Sequence, residues 1–210
     1  MCSFLFLQCI SLSGIALTDL TLRRASSRLT PPAYHWYNLH SVANLAIAYL
    51  TYTDLGELIL DPSSGARPAY SEWPPHIGLA LHVYHAFSYP MRPTDWFHHG
   101  VFVFGCGPLC YFAHCRAMSL YYLFCTGLPG ALDYAALALE KRGCCSRRAR
   151  RLFVGYNNAY FRMPGTAICA FLVACTFVRT RFSPLAILAL MAYLNGCHYG
   201  LAAIHAMSKV

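Results

Sequence analysis

Apolar residues in this chain gather into seven long runs, over roughly 3–18, 35–54, 76–90, 96–113, 118–139, 153–178 and 183–206. A helix needs about 20 residues to cross a hydrocarbon core, with about 17 near the lower limit. Hydrophobic residues make up 57% of the chain and charged ones 11%, with a mean hydropathy of +0.41. An ordinary soluble domain carries about 25% charged residues. The reading is an all-α, polytopic membrane helix bundle of about six to seven transmembrane helices enclosing a polar cavity.

The run over 76–90 is short for a span, and residues 1–20 are the least secured. They lack a basic leading segment and a small-residue cleavage site, which makes a poor signal peptide and a tolerable first helix. The organisation expected is that first helix, then one membrane domain over 34–206 with a basic cytoplasmic loop over 141–151 inside it.

Charge placement supports this order. Of 16 Lys and Arg, eleven fall at the C-terminus and on the connections after the first, third and fifth runs. Four fall on the opposite side, and Arg162 lies within a run. The positive-inside rule then puts the N-terminus outside and the loop 141–151 in the cytoplasm. A net charge of +8 so belongs to topology and anionic headgroups, not to nucleic acid. Membrane lipids are the expected partners, with a homodimer left open.

Most of the 11 cysteines sit in or beside the runs, where Cys acts as a small apolar residue. Cys144-Cys145, among basic residues at the membrane edge, suits either reversible palmitoylation or two unmodified thiols. Helix breakers lie inside the runs at Gly105–Pro108, Thr126–Gly130 and Met163–Gly165. Backbone groups freed there need neighbouring helices or a wet cavity, so three broken helices are expected around an interior.

Asp95, His98 and His99 are spaced i, i+3 and i+4, on one helix face. His82 and His85 form a second pair upstream. Ionisable groups inside a membrane are costly and mark function by default. Asp95, in a first helical turn, would accept from an imidazole and leave the other nitrogen free as base or nucleophile. The bland alternative is a helix-start Asp with two interfacial histidines. A metal reading also stands: HxxH and an HxxHH-like run approach the His boxes of membrane di-iron enzymes, with His114, His198 and His205 as further helix-associated candidates. No metal ligand set and no cofactor is assigned; acyl-CoA is considered only as a substrate. Asp133, just past the second breaker, would meet the free N–H groups of a half-helix, and Arg162 beside Asn158 is its natural partner. Tyr34, His35, Trp36 and Tyr37 read as an aromatic belt at the start of the second run.

Taken in order, several segments resemble the TLC-domain family, which includes ceramide synthases and the translocating-chain-associated membrane protein. They are Trp36–Tyr49 (WYNLHSVANLAIAY), the acidic and Pro-containing stretch Asp54–Pro62, His82–Phe87 (HVYHAF), Asp95–His99 (DWFHH), Thr126–Tyr134 (TGLPGALDY) and Asn157–Gly165 (NNAYFRMPG). The resemblance implies a membrane bundle around a lipid or acyl-chain cavity in the endoplasmic reticulum. It also implies that His98 and His99 stand where ceramide synthases keep their catalytic pair. The chain departs from that branch at its later acidic motif: Asp133 has no His before it. The resemblance therefore leans to the non-synthase members. Four functions stand open: lipid binding or homeostasis through His82, His85, Asp133, Arg162 and Asn158; acyl transfer by His98 and His99 with Asp95; metal-dependent lipid oxidation; and a transporter or escort role.

Overall fold

The computed structural model describes residues 2–26 and 34–208. Among these the chain forms seven helices: α1 (Cys2–Ser26), α2 (His35–Leu60), α3 (Trp73–Ser88), α4 (93–112), α5 (Arg116–Lys141), α6 (Arg147–Thr180) and α7 (Ser183–Met207). Four of them, α1, α5, α6 and α7, are long and apolar enough to cross a membrane. α5 runs through the middle, buried without interruption from Cys115 to Leu123, with α2, α6 and α7 packed around it. α1 lies against α2 and α3, and α4 fills the space between α3 and α7.

The three breakers do not break their helices. Each is absorbed by a wide π turn, over Phe102–Cys106, Tyr122–Gly127 and Asn157–Arg162. In each case the residue before the proline donates five residues back: Gly107 to Phe102, Leu128 to Leu123 and Met163 to Asn158. A proline ring clashes with the carbonyl four residues earlier, and widening the turn makes room for it while keeping the backbone paired. The expectation of broken helices, and of a half-helix start beside Asp133, is corrected accordingly.

The basic stretch is also more helical than a loop. α5 ends at Lys141, and α6 begins at Arg147, where the Ser146 hydroxyl accepts from the Ala149 N–H at 3.1 Å. Helix α6 has 34 residues, about 50 Å of rise against about 30 Å of hydrocarbon, so its arginine end has length to spare.

Polarity is inverted from that of a soluble bundle. On α2, Asn38, His40, Asn44, Thr51 and Asp54 face inward, while Val42, Leu45, Tyr49, Tyr52 and Ile59 are exposed. Large apolar side chains also cover the outside of α6 and α7, among them Ile168, Phe171, Leu190 and Leu201. An apolar surface this extensive marks contact with lipid or another apolar partner.

Two buried carboxylates stitch the interior. Asp19 of α1 is 1% exposed; it accepts from Tyr84 and Tyr89 near the end of α3 and pairs with Arg23 at 2.7 Å. Asp54 of α2, at 0% exposure, pairs with Arg116 at 3.2 Å. It also accepts from the Ser119 hydroxyl at 2.6 Å and the Tyr70 N–H at 3.3 Å. The turn that follows is fixed by Asp61, whose carboxyl is held below its usual range by hydrogen bonds from Ser63. Removing one partner of a buried ion pair strands the other, a loss of about 3–5 kcal/mol. Asp54→Ala should therefore lower unfolding stability in detergent by about that amount, whereas Glu72→Ala, on the exposed surface, should stay within about 0.5 kcal/mol.

Candidate functional site

Five imidazoles converge where α2, α3 and α4 meet: His40, His82, His85, His98 and His99. Ring centroids lie 4.8 Å apart for His40–His85, His85–His99 and His82–His99, and 5.2 Å apart for His82–His98. All but His98 are buried. Helical spacing explains the convergence. His82 and His85 sit one turn apart on α3, and the adjacent His98 and His99 reach the cluster from the first turns of α4.

Backbone carbonyls fix three of the rings. The Nδ1–H of His40 donates to Trp36 O at 2.9 Å, that of His82 to Gly78 O at 2.7 Å, and that of His99 to His82 O at 3.0 Å. A carbonyl only accepts, so each of these rings carries its proton on Nδ1 and leaves a lone pair on Nε2. His82 spends that lone pair on His98, whose Nε2 lies 3.2 Å away and must be the donor. Among the described residues, the Nε2 atoms of His40 and His99 have no hydrogen bond. His85 is 2% exposed, and neither of its ring nitrogens has a hydrogen-bond partner among the described residues. One nitrogen each from His40, His85 and His99 lies within 4.8 Å of the other two.

Aromatic rings wall the cluster. Trp36 stacks over His85 at 4.8 Å, Tyr134 of α5 approaches His40 at 4.7 Å, and Phe102 stacks on His82 at 3.9 Å. Trp36, one of the aromatic residues at the start of α2, thus lines the site.

Asp95 lies outside this network. Its carboxylate accepts from the Arg92 backbone N–H and Nε at 3.0 Å and from the Arg92 guanidinium NH2 at 3.1 Å, closing a capping box at the start of α4. Among the described residues no hydrogen bond joins Asp95 to an imidazole, and backbone carbonyls orient the rings in its place.

Asp133, Asn158 and Arg162 form a second group on α5 and α6. Arg162 pairs with Asp133 at 3.2 Å, Asn157 donates to Asp133 at 2.8 Å, and Asn158 reaches it at 3.4 Å. The Arg162 guanidinium also lies 4.0 Å from the Tyr199 ring centroid. A Cβ at Gly130 would lie 2.6 Å from the Asn44 amide, so glycine there is what lets α2 and α5 approach. The ion pair is the centre of this group, although Asn158 Oδ1 and Arg162 Nε are buried without a hydrogen-bond partner among the described residues; Tyr134, next to Asp133 in sequence, packs against His40.

An apolar pocket of about 510 Å³ opens farther along the same α3–α4 seam. Pro75, His76 and Leu79 line it from α3, Pro108 and Tyr111 from α4, and Phe4 from α1. From His85 to His76 the helix rises about 14 Å.

The structure brings His82, His85, His98 and His99 together, leaves Asp95 apart, and adds His40. His114, His198 and His205 do not join. Sequence reasoning overlooked His40, although a signal was available: His40, Asn44, Thr51 and Asp54 form a polar stripe at helical spacing within an apolar run.

Comparison with family models, with curated proteins and with solved structures finds no match.

The ring orientations can be tested directly. Nitrogen-15 NMR on histidine-labelled protein should find His40, His82 and His99 as Nδ1–H tautomers and His98 carrying its proton on Nε2. Nε2–H signals for the first three would contradict the network.

Proposed function

We propose that the chain is an integral membrane protein of six to seven spans that takes a lipid into the α3–α4 seam, acyl chain in the pocket and polar end toward the imidazoles. The observation that carries this reading is the pairing on one seam of a polar five-histidine cluster with an apolar pocket of about 510 Å³. Apolar sites with a few convergent polar groups are the usual form of a small-molecule site. The inverted polarity of α2 supports counting it as a span, since its low apolar content comes from its inward face.

The order of TLC-like segments supports the same reading, with lipid homeostasis in the endoplasmic reticulum as the setting. It also supports the orientation with the basic connections in the cytoplasm. His40, His85 and His99 all lie within one or two turns of the helix ends that those connections join.

Acyl transfer from acyl-CoA is the second reading, and the ring orientations favour it specifically. A neutral imidazole with Nδ1–H anchored has its Nε2 lone pair available to take a proton from an amine or hydroxyl attacking a thioester. The thiolate of coenzyme A would then leave and be protonated. The substrate's CoA phosphates would meet Arg92 and Arg142 on the basic side.

Native mass spectrometry of the protein released from detergent should detect a bound lipid. Leu79→Trp, which fills the pocket, should cut lipid occupancy at least fivefold, and Leu190→Trp on the outer face of α7 should leave it unchanged. Equal occupancy in both variants would overturn the lipid-site reading. Labelled acyl-CoA supplied to membranes with amine acceptors separates the second reading: an acylated product lost in the His98→Ala/His99→Ala double variant supports transfer, and an unchanged product profile removes it.

A further inference from the structure

We propose that His40, His85 and His99 form a zinc site with an open fourth position. This goes beyond the lipid reading and stands independently of it. The three rings come from three different helices, and one nitrogen of each lies within 4.8 Å of the other two. All three residues are at least nine-tenths buried, at 4%, 2% and 5% exposure.

His85 supplies the decisive observation. Its two ring nitrogens are buried without a partner among the described residues, although a buried polar group left unpaired costs about 1–3 kcal/mol. A ring that only packed against Trp36 and His40 would be better replaced by an apolar one. Coordination of one nitrogen to a cation turns that cost into a bond.

His40 and His99 are prepared in the manner of metal ligands. Such histidines nearly always donate the second ring N–H to a carbonyl or carboxylate, which fixes tautomer and orientation. Trp36 O and His82 O do this here, at 2.9 and 3.0 Å, and aim both Nε2 lone pairs away from the backbone. Bringing three nitrogens at this spacing onto zinc bonds of about 2.0 Å asks each for an inward shift of under ~1 Å.

The donor set narrows the ion. Three neutral imidazoles without thiolate suit zinc and the neighbouring divalent transition metals over soft or all-oxygen cations, and zinc is the one that commonly takes a four-coordinate site with three protein ligands. Three protein ligands with one position left over are the arrangement of a zinc site that binds water or substrate. No carboxylate belongs to the set, so the bound ion would keep its full positive charge. Hydroxide or an anionic lipid oxygen would be favoured as the fourth ligand. His82 is the internal control: its Nε2 is engaged by His98 and its Nδ1 by Gly78, so it is left out of the set.

The test uses full-length protein in detergent, purified through a tag free of histidine, stripped with a chelator and titrated with zinc alone. Wild type should bind one zinc per chain and melt at a higher temperature with it than without it. Cobalt in place of zinc should give the visible bands of a tetrahedral site. His40→Gln, His85→Gln and His99→Gln should each weaken zinc binding at least ~100-fold, whereas His82→Gln, which removes only the carrier of a supporting carbonyl's side chain, should change it less than ~10-fold. Failure of stripped wild type to take up zinc, or unchanged binding by the triple variant, would overturn the site. The wild-type titration decides even if a variant fails to fold. Because lipid occupancy is read separately by mass spectrometry, the site can fail while the lipid reading holds, and the reverse.

Discussion

A polar group enclosed in a bundle with an apolar exterior must find its partner inside, because neither lipid nor neighbouring hydrocarbon offers one. Asp19 with Arg23 and two tyrosines, Asp54 with Arg116, and Asp133 with Arg162 and two asparagines are three local solutions to that requirement. Each ties two helices together. Asp19 joins α1 to α3, Asp54 joins α2 to the start of α5, and Asp133 joins α5 to α6. Those ion-pair groups still leave Arg23 Nε, Asn158 Oδ1 and Arg162 Nε without a hydrogen-bond partner among the described residues, and the imidazole cluster is a separate group. It is held in place by carbonyls, yet among the described residues it keeps lone pairs unspent on His40 and His99 and leaves both His85 nitrogens unpartnered.

Much of the fold was legible because lipid-facing and core residues are both apolar, so each helix shows as a run. The runs over 35–54, 118–139 and 183–206 fall inside α2, α5 and α7. The local response to proline was not legible. Pro108, Pro129 and Pro164 look like breaks in a linear sequence, but a π turn stores the extra residue without ending the helix. The same apolar redundancy hid the ends of the basic stretch, where arginines continue as the first turn of α6 rather than forming a loop.

For the site, spacing gave what lies within one helix and lost what lies between helices. His82 with His85 and His98 with His99 follow from i, i+3 and adjacent positions, and their meeting follows from α3 and α4 being consecutive. His40 is more than forty residues upstream, and only the polar stripe of α2 pointed to it. Asp95 shows the converse error. Its position suggested service to His98 or His99, but the shorter route to Arg92 at the helix start won, since that contact also satisfies the backbone N–H of the N-cap residue. The pairing of Asp133 with Arg162 was accessible from charge alone, because a buried guanidinium has few alternatives.

The central claim is that the seam between α3 and α4 is a lipid site with the imidazoles at its polar end. Photocrosslinking in native membranes, with a fatty acid bearing a photoreactive group on its chain and adducts mapped by peptide mass spectrometry, tests it most directly. The account predicts adducts concentrated on Leu79, Tyr111 and Phe4, depleted by excess unlabelled fatty acid. Adducts confined to outward residues such as Phe171 and Leu190, and insensitive to competition, would contradict it.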